Sequence, residues 1–180
     1  FRRSKWFESI KKECKNVRQN VGLLDMTAFA KCRIKGPGAE EFLDNLVANK
    51  LPKKIGRINL CHALNTKGGV HSEFTIMREA EDSFYLVSAG AFQRLDHDWI
   101  HRWMPKDGSV QFENLTNSNG VLVVSGPKAR ELMQRVSTDD FSNENFKWLS
   151  AKMVDIGYAP VNAMRVNFVG ELGWELHHPI

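Results

Sequence analysis

Arg33-Ile34-Lys35-Gly36-Pro37-Gly38-Ala39 is the stretch from which the fold is read, because Val123-Val124-Ser125-Gly126-Pro127-Lys128-Ala129 repeats its pattern. Each copy runs from an apolar strand into Gly-Pro, then one residue, then Ala and a helix with paired apolar residues, Phe42-Leu43 and Leu132-Met133. Gly-Pro ends a strand sharply, and the apolar pair marks the buried side of the helix that follows. Two copies of one strand–turn–helix unit predict an α+β protein. Antiparallel sheets with packed helices would form two related halves, near 1–110 and 111–180. Two copies are too few for a solenoid.

Outward from the first copy, Ser4–Asn20 has helical spacing, with Trp6, Phe7, Ile10, Cys14 and Val17 on one side. Residues 23–25 lead into a short loop, 30–35 read as a strand and 39–48 as a helix. Residues 58–64 and 70–77 read as two strands joined through Asn65-Thr66-Lys67-Gly68-Gly69, a hairpin. Residues 83–89 form an apolar strand. The helix predicted over 91–103 carries Phe92, Leu95, Trp99, Ile100 and Trp103 in a broad stripe. Beyond the second copy, strands are predicted at 152–157, 163–169 and 174–177, with a helix over 128–136.

The 180 residues are 42% hydrophobic and 26% charged, the balance of a globular chain. No apolar run approaches the roughly 20 residues of a spanning helix, so no membrane partner is expected. The charged N-terminus is no signal peptide, and both ends read as cuts in a longer polypeptide. A net charge of +4 is spread along the chain, with short clusters such as Lys50, Lys53, Lys54 and Arg57. That argues against a nucleic-acid surface and suits a small anionic ligand. Cys14, Cys32 and Cys61 form no CxxC pair and no disulfide framework. They indicate a reducing compartment: the cytoplasm, or the mitochondrial matrix in a eukaryote.

Most motif chemistry is missing. There is no GxSxG, no GxGxxG and no phosphate loop. His97 and His101 stand at i,i+4, a metal-chelating interval, but on the polar side of their helix, so no metal is expected. His177 and His178 point to opposite faces of a strand. Two carboxylates beside glycine turns remain, Glu73 and Glu171. Each can be plain solvated turn chemistry. Each can also be a bidentate acceptor for a planar donor edge such as the ring NH and amino group of a pterin.

Several ordered motifs resemble the folate-binding aminomethyltransferase family, which includes the glycine-cleavage T protein and the C-terminal parts of dimethylglycine and sarcosine dehydrogenases. They are Phe29-Ala30-Lys31 with Lys35-Gly36-Pro37-Gly38-Ala39; Gly56 through Leu64-Asn65 to Gly68-Gly69; and Arg165 with Val169-Gly170-Glu171-Leu172-Gly173-Trp174-Glu175-Leu176. Trp6-Phe7-Glu8, Val17-Arg18 with Val21-Gly22-Leu23-Leu24-Asp25, and Arg57 through Leu64 look closer to the dehydrogenase type. The resemblance spans the chain and implies that fold without its C-terminal barrel, and a tetrahydrofolate site. Glu73 matches the family's catalytic aspartate after the Gly-Gly turn. Glu171 matches its pterin-binding glutamate, unchanged. Leu60 stands where a tyrosine is common, Ser88 where an asparagine is, and Arg165 joins the cofactor-binding set. An oxidase domain carrying FAD, upstream in the full protein, would supply the one-carbon unit from an N-methyl amine, and 5,10-methylenetetrahydrofolate would be the product. Two other readings stay open: a non-catalytic folate-binding or scaffolding module, and a methyltransferase drawing on another donor.

Overall fold

A computed structural model describes residues 2–180. The elements in chain order are α1 (Phe7–Gln19), β1 (Gly22–Asp25), β2 (Ala30–Lys35), α2 (Ala39–Leu46), β3 (Ile58–Leu64), β4 (Val70–Ala80) and β5 (Ser83–Ser88). Then come α3 (Gln93–Trp103), β6 (Gln111–Asn114), β7 (Asn119–Ser125), α4 (Ala129–Val136), β8 (Ala151–Ile156), β9 (Ala159–Met164) and β10 (Gly173–Pro179). The expected α+β class and antiparallel pairing are what the structure has.

The chain forms two compact units. One holds residues 27–120 with 149–151 and 179–180; the other holds 2–26, 121–148 and 152–178. The first unit contains an antiparallel sheet in the order β3-β4-β5-β2-β6. Phe42, Leu43 and Leu46 of α2 and Ile100 of α3 pack with Phe74, Ile76, Phe84 and Leu86 of the sheet. Both helices therefore cover one face, and the sheet is two-sided in character. The second unit contains a sheet in the order β1-β7-β10-β9-β8. Its core gathers Ala129 and Met133 of α4 with Phe141, Phe146, Trp174 and Leu176.

The repeated sequence pattern is a repeated corner. Gly36 and Gly126 both hold positive φ, +118° and +134°. A Cβ on Gly36 would stand 2.4 Å from the Ser109 carbonyl oxygen, and one on Gly126 would stand 2.5 Å from that of Asn20. Glycine is demanded at both places by space as well as by torsion. The bonds repeat as well. Gly36 N–H donates to Asp82 O (2.9 Å) and Gly38 N–H to Ser109 O (3.1 Å); Gly126 N–H donates to Leu172 O (2.8 Å) and Lys128 N–H to Asn20 O (2.9 Å). The sheets correspond strand for strand: β6-β2-β5-β4-β3 against β1-β7-β10-β9-β8. In the second unit the helix and edge strand that close the fold, α1 and β1, come first in the chain; in the first unit their counterparts, α3 and β6, come last.

That rearrangement corrects the division expected near residue 110. Residues 2–26 belong with the unit that resumes at 121, because Gly22–Asp25 is an edge strand paired with β7. Two further expectations shift. The strand foreseen over 163–169 lies at Ala159–Met164, set by the turn at Gly157 (φ +61°), while Phe168 and Val169 are exposed in the loop beyond it. Only part of the broad stripe of α3 faces the core, Ile100 within it and Trp99 packed against it. Phe92, Leu95 and Trp103 are exposed, and Asp96 points inward beside Ile100. No residue of α1 is buried; Ile10 within it and Trp6 just before it are exposed.

The thiols report the folded state. Burial, then Asp96, pushes Cys32 up to about 12, and burial pushes Cys61 up to about 11, while Cys14 is exposed. Both folded values lie above the ordinary 9.0. Their contribution to stability is therefore full below that value and lost as pH rises through 9 toward 11 and 12. A chromogenic thiol reagent at pH 8 should titrate Cys14 at once and the other two only in denaturant, and the urea midpoint should fall above pH 9. Equal reactivity of all three thiols without denaturant would contradict the structure.

Candidate functional site

Antiparallel partners point to the same side of a sheet, and neighbours along a strand to opposite sides. Leu60 pairs with Thr75, Thr75 with Val87, and Val87 with Lys31, so these four form one row across the first sheet. Their face is opposite to that of Phe74, Ile76 and Leu86, and so opposite to the helices. The adjacent pair on the same face is His62 with Glu73. Leu60 and Glu73, both candidate site residues, thus share the face left open by the helices. Leu60 is half exposed and the Glu73 side chain is 62% exposed.

The turn that delivers Glu73 is built by Asn65. Its Oδ1 accepts from the N–H groups of Lys67 (2.9 Å) and Gly69 (3.0 Å), and Gly68 takes φ +79°. A shift in register at Ala63/Leu64 follows, and from Ser72 on β4 is locked to β3. Glu73 Oε2 lies 3.0 Å from His62 Nε2. Asn49, in the segment after α2, bonds to the other side of His62: its Oδ1 accepts the His62 backbone N–H at 2.8 Å and faces Nδ1 at 3.3 Å. Asn59 Nδ2 donates to Lys50 O at 2.7 Å, fastening the same segment to β3. His62 and Asn49 are site residues that motif reading misses. The alternation of β3 puts His62 beside Leu60, and that was the available signal.

Ser88 does not join this face. It pairs with Ala30 and follows Val87, so its side chain turns to the helices, where its hydroxyl donates to Asp96 Oδ2 at 2.6 Å. Asp96 is 3% exposed. A buried carboxylate needs donors, and Ser88 supplies one. The β5 residues that share the face with Leu60 and Glu73 include Val87 and Tyr85, both buried.

In the second unit Glu171 stands in the loop between β9 and β10, directly after Gly170 at φ +76°. Gly173 opens β10, where a Cβ would lie 2.2 Å from Val124 O. Asn167 braces the loop: its Nδ2 donates to Ser125 Oγ (2.8 Å) and its Oδ1 accepts the Val169 N–H (3.0 Å). The Glu171 side chain is 19% exposed, and its Oε1 accepts from Arg18 Nη1 of α1 at 2.5 Å. Arg18 is itself 76% exposed, a surface side chain lying over a sheltered carboxylate. Glu171 Oε2 makes no hydrogen bond with the described residues and stays open to a planar N–H donor.

Arg165 lies in a different setting. Its Nη1 donates to Phe146 O and its Nη2 to Asn143 Oδ1 (2.7 Å), an oxygen shared with Arg130 Nη2 (2.7 Å). Both guanidiniums lie over the Trp174 ring, at 5.7 and 5.8 Å. Burial, then Arg130, lowers the pKa of Arg165. This is a clamp on the 141–146 loop. His97 and His101 both pack on Phe112, ring centroids 4.8 and 4.6 Å away. Burial, then His101, lowers the pKa of His97. A cleft of about 280 Å³ among Phe42, Leu46, Leu64, Trp99 and Trp103 is lined by neither Glu73 nor Leu60.

The class the fold defines is a pair of like-built α+β units, each with a carboxylate beside a glycine turn. The family is shown by sequence: residues 1–180 match the GCVT N-terminal domain, and the chain belongs to that family. It is 39% identical over 179 residues to mitochondrial dimethylglycine dehydrogenase of Mus musculus, covering 99% of this chain and 20% of the relative. It is 30% identical over 183 residues to the mitochondrial pyruvate dehydrogenase phosphatase regulatory subunit of Mus musculus, covering 100% of this chain and 21% of that protein. The fold matches the glycine cleavage system aminomethyltransferase T of Bartonella henselae with TM-score 0.80 at 23% identity, over 93% of this chain and 44% of that one. The chain spans about a fifth of the length of the curated relatives it matches. It is a folate-binding aminomethyltransferase-type domain related to dimethylglycine dehydrogenases.

Ser88→Ala should act on stability. It leaves Asp96 buried without its hydroxyl donor, a loss of about 1–3 kcal/mol. Urea denaturation of the variant measures this, and an unchanged midpoint would show that Asp96 is satisfied in another way.

Proposed function

We propose that this chain is the tetrahydrofolate-binding, one-carbon transfer domain of an N-methyl amine dehydrogenase of the dimethylglycine or sarcosine type. The observation that carries the proposal is Glu171: a sheltered carboxylate on a glycine turn, with one oxygen held by a surface arginine and the other open. Such a group suits the paired N–H donors of a pterin edge, which no side chain of its own unit supplies at Oε2. Reduced folate supplies the nucleophilic amine that takes up a one-carbon unit at the oxidation level of formaldehyde, giving 5,10-methylenetetrahydrofolate and water.

The residues of the chain then have separate tasks. Glu171 anchors the ring. Leu60, half exposed on the sheet face that carries Glu73, offers apolar surface. Glu73, on the same face, takes the proton that the attacking amine must lose, a task for which factors of about 100 to 10,000 are usual. Ser88 and Arg165 serve through the scaffold, because their polar atoms are engaged within it. The one-carbon unit would come from an FAD-carrying oxidase domain in the rest of the polypeptide. The mitochondrial names of the relatives favour the matrix as its site. Among the described residues no helix is long and apolar enough to cross a membrane.

A second reading is a non-catalytic folate-binding or scaffolding module, favoured by the likeness to a protein named as a regulatory subunit. Measuring 5,10-methylenetetrahydrofolate and free formaldehyde from the full-length protein separates the two. On the first reading, Glu171→Gln weakens tetrahydrofolate binding at least about tenfold, the loss of one charge-assisted pair. Glu73→Gln lowers the folate product by about 100-fold or more and diverts the carbon to formaldehyde. A module would bind folate and leave the partition between the two products unchanged in every variant.

A further inference from the structure

His62 stands between Asn49 and Glu73. A backbone N–H can only donate, so the Asn49 atom that meets the His62 N–H at 2.8 Å is the amide oxygen, which also lies 3.3 Å from Nδ1. On the other side of the ring Nε2 lies 3.0 Å from Glu73 Oε2, the contact of a ring N–H donating to a carboxylate. An exposed pair of this kind adds little to stability. Yet three residues from three segments are aligned to hold one carboxylate oxygen: Asn49 after α2, His62 on β3 and Glu73 on β4. Glu73 Oε1 makes no hydrogen bond with the described residues, and the side chain is largely exposed.

We propose that His62 is the positioning residue of Glu73: pinned by Asn49, it holds Oε2 and presents Oε1 as the oxygen that meets the folate amine. The proposal rests on the proton-accepting role of Glu73 given above. A carboxylate at the solvent side of a strand has several rotamers, and a base must be held within hydrogen-bond reach of its proton. His62 selects one orientation. Asn49 keeps the imidazole from turning, through a bond to the backbone N–H that also fixes the amide.

The test uses the full-length protein with dimethylglycine and tetrahydrofolate, following methylenetetrahydrofolate formation, and four variants: His62→Phe, His62→Gln, Glu73→Gln and the double variant His62→Phe with Glu73→Gln. His62→Phe should lower kcat for the folate product about 10- to 100-fold, with KM and the calorimetric Kd for tetrahydrofolate within about twofold. His62→Gln, which keeps an N–H toward Oε2, should recover most of the loss. The double variant should be no slower than Glu73→Gln alone, because the histidine acts through the glutamate. In the ring nitrogen spectrum of 15N-histidine-labelled protein, Nε2 of His62 should carry hydrogen, and its signal should shift in Glu73→Gln. Wild-type turnover in His62→Phe, with Glu73→Gln impaired, would overturn the positioning role and leave the Glu73 reading intact. So would losses that multiply in the double variant, or an Nε2 signal unchanged in Glu73→Gln. Wild-type turnover in Glu73→Gln would overturn both.

Discussion

The corner at Gly36, copied at Gly126, is the constraint on which the structure depends. A strand has to stop, reverse onto its own sheet as a helix, and pass so close to a neighbouring carbonyl that no side chain fits. Positive φ makes the reversal, and the bonds to Asp82 and Ser109, or to Leu172 and Asn20, tie the corner to two neighbouring segments at once. With the corner fixed, the strand that enters it, β2 or β7, and the helix that leaves it are placed together. One face of the sheet is then filled. In the first unit, the opposite face carries Leu60 and Glu73 at its exposed end.

Strand alternation decides which residues reach that face. Ser88 and Val87 are neighbours in sequence and belong to opposite sides of β5: one satisfies Asp96 under a helix, the other lies in line with Leu60. A family match by position cannot distinguish them, but pairing does. Carboxylates divide in the same way. Asp96 is buried and held by a hydroxyl, whereas Glu73 is open and held by an imidazole.

Strong local signals made most of the first unit legible. Apolar alternation and the Gly-Gly turn marked β2 through β5, and the Gly-Pro pairs marked both corners. β1 was unreadable because Leu23 and Leu24 remain exposed, so its strand character comes from pairing with β7. β9 was displaced because Phe168 and Val169 look like strand residues yet face outward, while Pro160 inside the true strand looks like a break. Glu73 and Glu171 could be singled out from their glycines. Their partners could not: Arg18 is 153 positions from Glu171, and Asn49 acts on His62 across 13. Asp96 hid inside an apolar stripe because sequence alone shows no hydroxyl waiting for it.

The order of elements in the second unit bears on how the polypeptide acquires its structure. The first unit is assembled almost wholly from one continuous run, residues 27–120, and its sheet can close as soon as that run exists. The second cannot. Its opening helix and edge strand are made first, yet β1 finds its partner β7 only across the whole of the intervening unit. During synthesis α1 and β1, with Trp6, Leu23 and Leu24 uncovered, must wait while the other unit folds between them and their sheet. Contacts so distant in the chain form slowly. The earliest residues of this chain are therefore among the last to reach their native partners, and the waiting segment is where a chaperone has most to protect.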